Sequence, residues 1–208
     1  MFRNNPSQLQ VLTGLDGSPS VEDLPVSSPM AAMAISDDGQ AILLASGTDN
    51  AGPVWLFTGG KATQLPLPGS IAAASFRRNN LDLATVTRTG EVYIVRHAGS
   101  GNYIRQIYTA DTQTADPVAV QFSPDGAYVY TANSRGMLAV IDLQTGLATA
   151  ISCRCTPTGL EPLAIGSIFR LTEISSRPVL LFDGSTPDPR VWFVPPDLPP
   201  ADSQRSDR

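Results

Sequence analysis

The stretch that decides the fold is Val118-Ala-Val-Gln-Phe-Ser-Pro-Asp-Gly-Ala-Tyr-Val-Tyr-Thr-Ala-Asn133. Two strand-like runs flank a Pro-Asp-Gly turn, and a third apolar run, Met137–Asp142, follows after a short loop. Glycine tolerates the positive φ that a tight hairpin requires, and the preceding proline presets the start of the turn. Weaker copies of this strand–turn–strand–loop–strand unit elsewhere in the chain predict a repeat architecture.

Landmarks of the unit recur at regular spacing. Phe76 follows Ile35 by 41 positions, and Phe122 follows Phe76 by 46. A spacing of about 40 to 50 residues with four strands per unit is typical of β-propeller blades. The sequence therefore predicts an all-β, propeller-like array of about four four-stranded blades. The predicted blades are residues 31–68, 70–109, 117–153 and 160–195, between an N-terminal segment (1–30) and a tail (196–208).

Residues 118–133, followed by Leu-Ala-Val-Ile-Asp-Leu-Gln-Thr-Gly at 138–146, resemble the YVTN/WD40-like propeller repeat of bacterial proteins. The likeness is close over these residues, looser over 31–95 and faint in the fourth unit. The Trp-Asp signature of eukaryotic WD40 repeats is absent from the sequence. The resemblance implies propeller architecture and a binding scaffold, although some relatives are lactonases. It implies almost no specific chemistry.

The number of units raises the question of closure, because closed propellers have about four to eight blades. The fourth unit is interpreted as three strands without an outer one: Leu163–Leu171, Pro178–Phe182 and Val191–Val194. Gln8–Thr13 is a lone strand that either supplies the missing strand and closes a ring, or ends a preceding blade. The second interpretation is favoured, with Val21–Met30 as an inter-blade connection. It predicts an open arc or part of a larger propeller, whose unpaired apolar blade edge would invite self-association.

Composition excludes several classes of function. The net charge is −5, and the nearest feature to a basic stripe is Arg77-Arg78, interpreted as a solvated hairpin tip, so nucleic-acid binding is not expected. No stretch approaches 18 apolar residues, so no membrane span is expected. Residues 1–6 lack the apolar core of a signal peptide, so localisation is left open, with export expected if the N-terminus is truncated. The Pro-rich, polar residues 196–208 are expected to be disordered.

Cys153 and Cys155 are the only cysteines, and His97 is the only histidine. The Cys-Arg-Cys motif provides half of a four-ligand zinc site, so a tight disulfide, metal binding with a partner and packed thiols all stay open. His97 lies in a Gly/Ser loop, and nothing in the sequence ties a serine or an aspartate to it. We therefore expect no catalytic residue, no metal site and no cofactor.

Loops between the second and third strands of the blades lie on one face of a propeller, which is often the binding face. In this chain the predicted loops carry Asp49, Arg88, Arg135 and Asp183. Arg88 and Arg135 occupy nearly equivalent places in neighbouring blades, and converging guanidinium groups could clamp an anion. The alternative is that all four are ordinary charged loop tips.

Taken together, these patterns favour a non-catalytic propeller scaffold that presents loop faces to a protein or small-ligand partner. An enzyme of the propeller lactonase or hydrolase type is the alternative. A third possibility is a purely structural module that completes a larger propeller.

Overall fold

The computed structural model describes most of the chain. The described residues are 9–13, 17–24, 30–46, 52–68, 70–109, 111, 114–163, 166–173, 178–185 and 188–195. Every secondary-structure element in this part of the chain is a β-strand. The described residues therefore include no helix that could cross a membrane. Asp49 and the tail at 196–208 lie outside the described residues.

The strands form one two-stranded hairpin and four antiparallel sheets of four strands each, which we term blades. The hairpin contains β1 (Leu9–Thr13) and β2 (Ser20–Leu24). The first blade contains β3 (Met30–Ile35), β4 (Ala41–Ser46), β5 (Val54–Thr58) and β6 (Lys61–Leu65). The second contains β7 (Ile71–Phe76), β8 (Leu83–Thr87), β9 (Val92–Arg96) and β10 (Tyr103–Tyr108). The third contains β11 (Pro117–Phe122), β12 (Tyr128–Asn133), β13 (Met137–Asp142) and β14 (Ala148–Ser152). The fourth contains β15 (Glu161–Pro162), β16 (Ile168–Arg170), β17 (Val179–Asp183) and β18 (Arg190–Val194).

Within each blade the strands pair in chain order, from an inner first strand to an outer fourth strand. The second strands are the most deeply buried: every residue of β8 is buried, as are the last five of β12. Such nearly continuous burial is expected of a strand that is sandwiched between two neighbouring sheets. Tight turns join the first and second strands, and Gly39 and Gly126 both adopt a φ of 70° there.

Apolar clusters between neighbouring blades hold the blades face to face. A cluster around Leu56 and Leu83 joins the first blade to the second. Another, around Ile94 and Val129, joins the second to the third, and a cluster that contains Phe182 joins the third to the fourth. No apolar cluster of the described residues joins the fourth blade to the first. The predicted open array of four four-stranded blades is thereby confirmed.

The N-terminal strand is not a lone strand, contrary to prediction. β1 pairs with β2 in antiparallel register, from Leu9 opposite Leu24 to Thr13 opposite Ser20. The predicted connection Val21–Met30 therefore starts inside a strand, because β2 extends to Leu24. In the described part of the chain β18 pairs only with β17, so β1 does not complete the fourth blade.

The fourth blade has its own four strands, and the prediction of three was wrong. The predicted first strand, Leu163–Leu171, lies after β15 and contains β16. The predicted second and third strands are consequently the third strand, β17, and the outer strand, β18. The shift arises because β15 has only two residues and no Ser-x-Asp-Gly turn marks its end.

Candidate functional site

The loops after β8 and β12 carry Arg88 and Arg135, and we term the side of the molecule on which they lie the loop face. A segment that contains Asp116 lies against both loops. The Asp116 N–H donates to the Arg88 carbonyl oxygen (3.0 Å), and the Ser134 N–H donates to the Asp116 carbonyl oxygen (3.1 Å). The Arg135 guanidinium also forms an ion pair with the Asp116 carboxylate.

This ion pair limits what the predicted arginine clamp could do. An anion that binds Arg135 must compete with a carboxylate that is already paired with it. The pair is solvent-exposed, with 59% of the Arg135 side chain and 55% of the Asp116 side chain accessible. Exposed pairs contribute only about 0 to 1 kcal/mol, so an anion could displace Asp116 at small cost. The clamp stays a prediction.

Asp183 does not share the loop face. It ends β17 and precedes the loop to β18, so it lies between the third and fourth strands of its blade and not between the second and third as predicted. Its carboxylate accepts hydrogen bonds from the Ser185 hydroxyl (2.5 Å) and from Nε1 of Trp192 (3.3 Å). The hydrogen bond from Ser185 lowers the pKa of Asp183. Asp183 therefore shapes a turn at the opposite side of the molecule, which we term the turn face.

The same turn is built twice on the turn face. In the first blade the Ser36 hydroxyl donates to the Asp38 carboxylate (2.6 Å), and in the third the Ser123 hydroxyl donates to Asp125 (2.5 Å). Each serine oxygen also accepts the backbone N–H five positions later, at 2.9 Å in both blades. The serine hydroxyls lower the pKa values of Asp38 and Asp125. Both carboxylates are thus held as parts of the turns, which gives them a structural role.

Arg77 is not the solvated hairpin tip that the sequence suggested. Its guanidinium donates to the carbonyl oxygen of Asp125 in the third blade (2.5 Å). It also covers Gly126, because a Cβ at that position would collide with the guanidinium. Toward the first blade, the Asn79 N–H donates to the Asp37 carboxylate (3.0 Å). The turn of the second blade therefore links the turns of both neighbours.

His97 has a backbone role in a turn after β9. Its φ is 52°, and its N–H donates to the carboxylate of Asp82 (3.1 Å). Asp82 is buried, with 3% exposed, and the Arg96 guanidinium forms an ion pair with it. The buried carboxylate thus receives a charged partner and a backbone donor, as a buried charge requires.

Cys153 and Cys155 form a disulfide bond, which decides between the three states that the sequence left open. The bond lies directly after β14, and Arg154 between the cysteines has a φ of 52°. The segment packs on the loop face: the Cys153 N–H donates to the Gly136 carbonyl oxygen (2.8 Å). A Cβ at Gly136 would collide with the Cys155 carbonyl oxygen, so this approach requires glycine. No group of three or more potential metal ligands occurs among the described residues.

A groove with a volume of about 1140 Å³ separates the outer parts of the third and fourth blades. We term it the outer groove. The disulfide lies at one end, after β14, and Arg190 lies at the other end, at the start of β18. Among the described lining residues, the charged ones are Arg154, Glu173 and Arg190, and the apolar ones are Ile151, Pro178, Leu180, Pro189, Val191 and Phe193.

The outer strand at this groove differs from the other three. β6, β10 and β14 read Lys-Ala-Thr-Gln-Leu, Tyr-Ile-Arg-Gln-Ile-Tyr and Ala-Thr-Ala-Ile-Ser, whereas β18 reads Arg-Val-Trp-Phe-Val. In β18, Trp192 is 50% exposed, Phe193 62% and Val194 42%. Because side chains alternate along a strand, Phe193 faces the groove together with Val191, while Trp192 and Val194 face the other side of the blade. β18 thus has three consecutive exposed apolar residues, and its outer edge is unpaired among the described strands.

A smaller cavity of about 580 Å³ lies where the inner strands converge, and all four blades contribute to its lining. The Ser75 hydroxyl lines it, is buried, and has no hydrogen-bond partner among the described residues. Asp37 and Arg78 add one charge of each sign. Gln121 and Ser123 are the other polar residues of the described lining, and this mixed set does not define a ligand class.

A β-propeller domain is among the solved structures that are similar to this chain. The β-propeller domain of Cps50 (Swd1) from Myceliophteria thermophila is 15% identical with a TM-score of 0.58, and the match covers 93% of this chain and 69% of that one. A functionally unknown protein from Desulfotomaculum acetoxidans is 17% identical with a TM-score of 0.68, over 90% of this chain. The fold is that of an open β-propeller.

At these identities the likeness concerns the fold alone. The chain spans 62% of the length of the Desulfotomaculum acetoxidans protein, so the larger protein contains residues without a counterpart here. Protein-family models gave no match to the sequence. A comparison with curated proteins gave none either.

Proposed function

We propose that this propeller is a non-catalytic scaffold, with blades of the bacterial YVTN/WD40-like type, that binds an extended segment of another protein in the outer groove. The observation that carries the proposal is the run of three consecutive exposed apolar residues in β18, which β6, β10 and β14 lack. The lowered pKa values of Asp38, Asp125 and Asp183 have turn hydroxyls as their main cause. They therefore give no support to an acid–base centre of the hydrolase type.

An extended segment is the occupant that fits the groove. The outer edge of β18 is unpaired among the described strands, so its backbone N–H and C=O groups can receive another strand. Val191 and Phe193 face the groove two positions apart, so a paired segment would present apolar side chains at every second residue. The outer groove between the third and fourth blades is therefore sufficient for such a segment, without a deeper cavity.

The charge of the groove favours an acidic segment. Arg154 and Arg190 lie near its two ends, and Glu173 is the only carboxylate among the described lining residues, while the whole chain carries a net charge of −5. The groove is thus locally positive on an acidic protein. Carboxylates of a bound segment would pair with the two arginines and fix its direction.

Phe193 is the expected anchor. A phenylalanine buries about 150 to 250 Å² when it is fully enclosed, and 62% of Phe193 is available to a partner. At about 25 cal/mol per Å² this burial contributes about 2 to 4 kcal/mol to binding. Truncation of Phe193 should therefore weaken binding by about 30-fold or more.

The test is a selection of a random peptide library, displayed on phage, on the immobilised full chain. Enriched peptides should alternate apolar residues and carry Asp or Glu. In fluorescence anisotropy with the synthetic peptides, Phe193→Ala should raise Kd about 30-fold. Tyr103→Ala is the matched control, because Tyr103 is a 65% exposed aromatic residue on the outer strand of the second blade. It should change Kd by less than about twofold.

Three results would refute the proposal: no enriched peptide, equal effects of the two substitutions, or peptides that bind Phe193→Ala as tightly as the unmodified chain. Sedimentation velocity completes the test. A concentration-dependent dimer that Phe193→Ala abolishes would place a second copy of the chain, and not a peptide, on β18. Circular dichroism of both variants would establish that each is folded.

A further inference from the structure

We infer that the Cys153–Cys155 disulfide is a redox-active site that exchanges with thiols of small molecules or proteins. The inference does not depend on what occupies the outer groove. The bond does not cross-link separate parts of the fold. Both cysteines lie in one short segment after β14 with a single residue between them. Closing so small a loop removes little entropy from the unfolded chain.

The disulfide is also accessible from the outer groove. The disulfide lines the outer groove, and Arg154 between the cysteines is exposed. Cys155 is partly exposed, whereas only 9% of Cys153 is accessible. An incoming thiolate would therefore attack Sγ of Cys155. The positive charge of Arg154 favours the approach of an anionic nucleophile and stabilises the thiolate that leaves.

The exchange is balanced as follows. A thiolate forms a bond to Sγ of Cys155, the Cys153–Cys155 bond breaks, and Cys153 leaves as a thiolate that takes a proton from solvent. A second thiolate attacks the mixed disulfide at the sulfur of the reagent, which releases Cys155, and Cys155 then also takes a proton. The protein gains two electrons and two protons, and the two reagent thiols end as one disulfide.

The segment keeps contacts that do not depend on the disulfide, so we expect the fold to persist after reduction. The segment is held by a backbone hydrogen bond from the Cys153 N–H to the Gly136 carbonyl oxygen (2.8 Å), which does not involve sulfur. The Cys155 carbonyl oxygen lies directly over Gly136. What reduction releases is local, because Arg154 has a φ of 52° that a non-glycine residue adopts at a cost. Reduction would thus remodel one end of the groove and leave the blades in place.

The test begins with the full chain in glutathione redox buffers. Free thiols are trapped by alkylation and counted by mass spectrometry, while circular dichroism follows the sheets. We expect reversible reduction by millimolar reduced glutathione with an unchanged β-sheet signal. A disulfide that stays oxidised until the chain is denatured would refute the inference. So would a reduction that unfolds the sheets, because the bond would then be structural.

Single-cysteine variants test the direction of attack. Cys153→Ser leaves Cys155 as the only thiol, and Cys155→Ser leaves Cys153. In the folded chains, the thiol of the first variant should react with Ellman's reagent about tenfold faster than that of the second, because Cys155 is the more exposed cysteine. Equal rates, or faster reaction of Cys153, would overturn the assigned site of attack.

Discussion

The turns of the first and third blades offer a matched pair of substitutions that measures one contact between blades. Gly39 and Gly126 occupy the same position of the same Ser-x-Asp-Gly turn, and both have a φ of 70°. Their surroundings differ: a Cβ at Gly39 would meet nothing within 4 Å, whereas a Cβ at Gly126 would collide with the Arg77 guanidinium. Gly39→Ala therefore measures backbone strain alone, and Gly126→Ala measures the same strain plus the displacement of Arg77.

The two magnitudes follow from the geometry. An L-residue in the left-handed region costs about 1 to 2 kcal/mol, which is the whole expected effect of Gly39→Ala. Gly126→Ala would also break the hydrogen bond from Arg77 to the Asp125 carbonyl oxygen, and hydrogen bonds to charged groups contribute about 1.5 to 3 kcal/mol. Because 25% of the Arg77 side chain is exposed, we discount this to about 1 kcal/mol. Gly126→Ala should thus cost about 2 to 3 kcal/mol.

Urea unfolding followed by circular dichroism measures both changes in the free energy of unfolding. The decisive step is to repeat each substitution in an Arg77→Ala background. There, Gly126→Ala should cost no more than Gly39→Ala, to within about 0.5 kcal/mol, since the guanidinium is absent. Gly39→Ala should cost the same in both backgrounds, because Arg77 does not approach that turn.

Two outcomes would refute the reasoning. If Gly126→Ala and Gly39→Ala cost the same in the unmodified chain, the guanidinium gives no net stabilisation at the third blade. If the excess cost of Gly126→Ala persists without Arg77, the strain has another source. Either result would remove the turn-to-turn link as a stabilising contact between the second and third blades.

Two further predictions concern the fourth blade and low pH. Phe182 is fully buried, with its ring centroid 5.0 Å from that of Tyr130 in the third blade, so Phe182→Ala should cost about 3 to 5 kcal/mol. In a chain without the other tryptophan, fluorescence of Trp192 should then change at lower urea than the circular dichroism does, and coincident transitions would contradict this. The Ser123 hydroxyl holds the pKa of Asp125 below 3.8, so ionised Asp125 stabilises the fold above that pH, and the stabilisation is lost as the pH falls through the folded pKa. Asp125→Asn should lower the urea midpoint at pH 7 and flatten its decline below about pH 4, and an unchanged slope would contradict the assignment.

The first three blades were predictable because their signals are local. A tight turn, a buried second strand and a return strand follow one another within about 25 residues, and each has its own residue preference. The contacts that hold neighbouring turns together were not predictable in this way. Arg77 and Asp125 are 48 positions apart, and an arginine beside a turn has the pattern of a solvated residue until the neighbouring blade is placed next to it.

The candidate site could be predicted only in part, for a related reason. Arg88 and Arg135 were expected on one face, and their loops do lie on the same segment around Asp116. No pattern in the sequence pointed to the Asp116 carboxylate, because that segment belongs to the connection between blades and has no repeat pattern. The disulfide was one of three open states, since spacing alone does not distinguish a bonded pair from packed thiols.

The outer groove was not predicted, because the strands of the fourth blade were assigned one position too early in the blade. In a third strand, which is sandwiched between blades, the run Val191–Val194 is ordinary core sequence. In an outer strand the same residues are half exposed and have no counterpart in β6, β10 or β14. The sequence-based assignment to a third strand made Phe193 an expected core residue. As part of the outer strand β18, Phe193 is instead the strongest sign of a binding surface. The error begins at β15, because a strand of two residues is too short to show an alternating pattern. When the first strand of a blade is missed, each later strand of that blade is assigned one position too early.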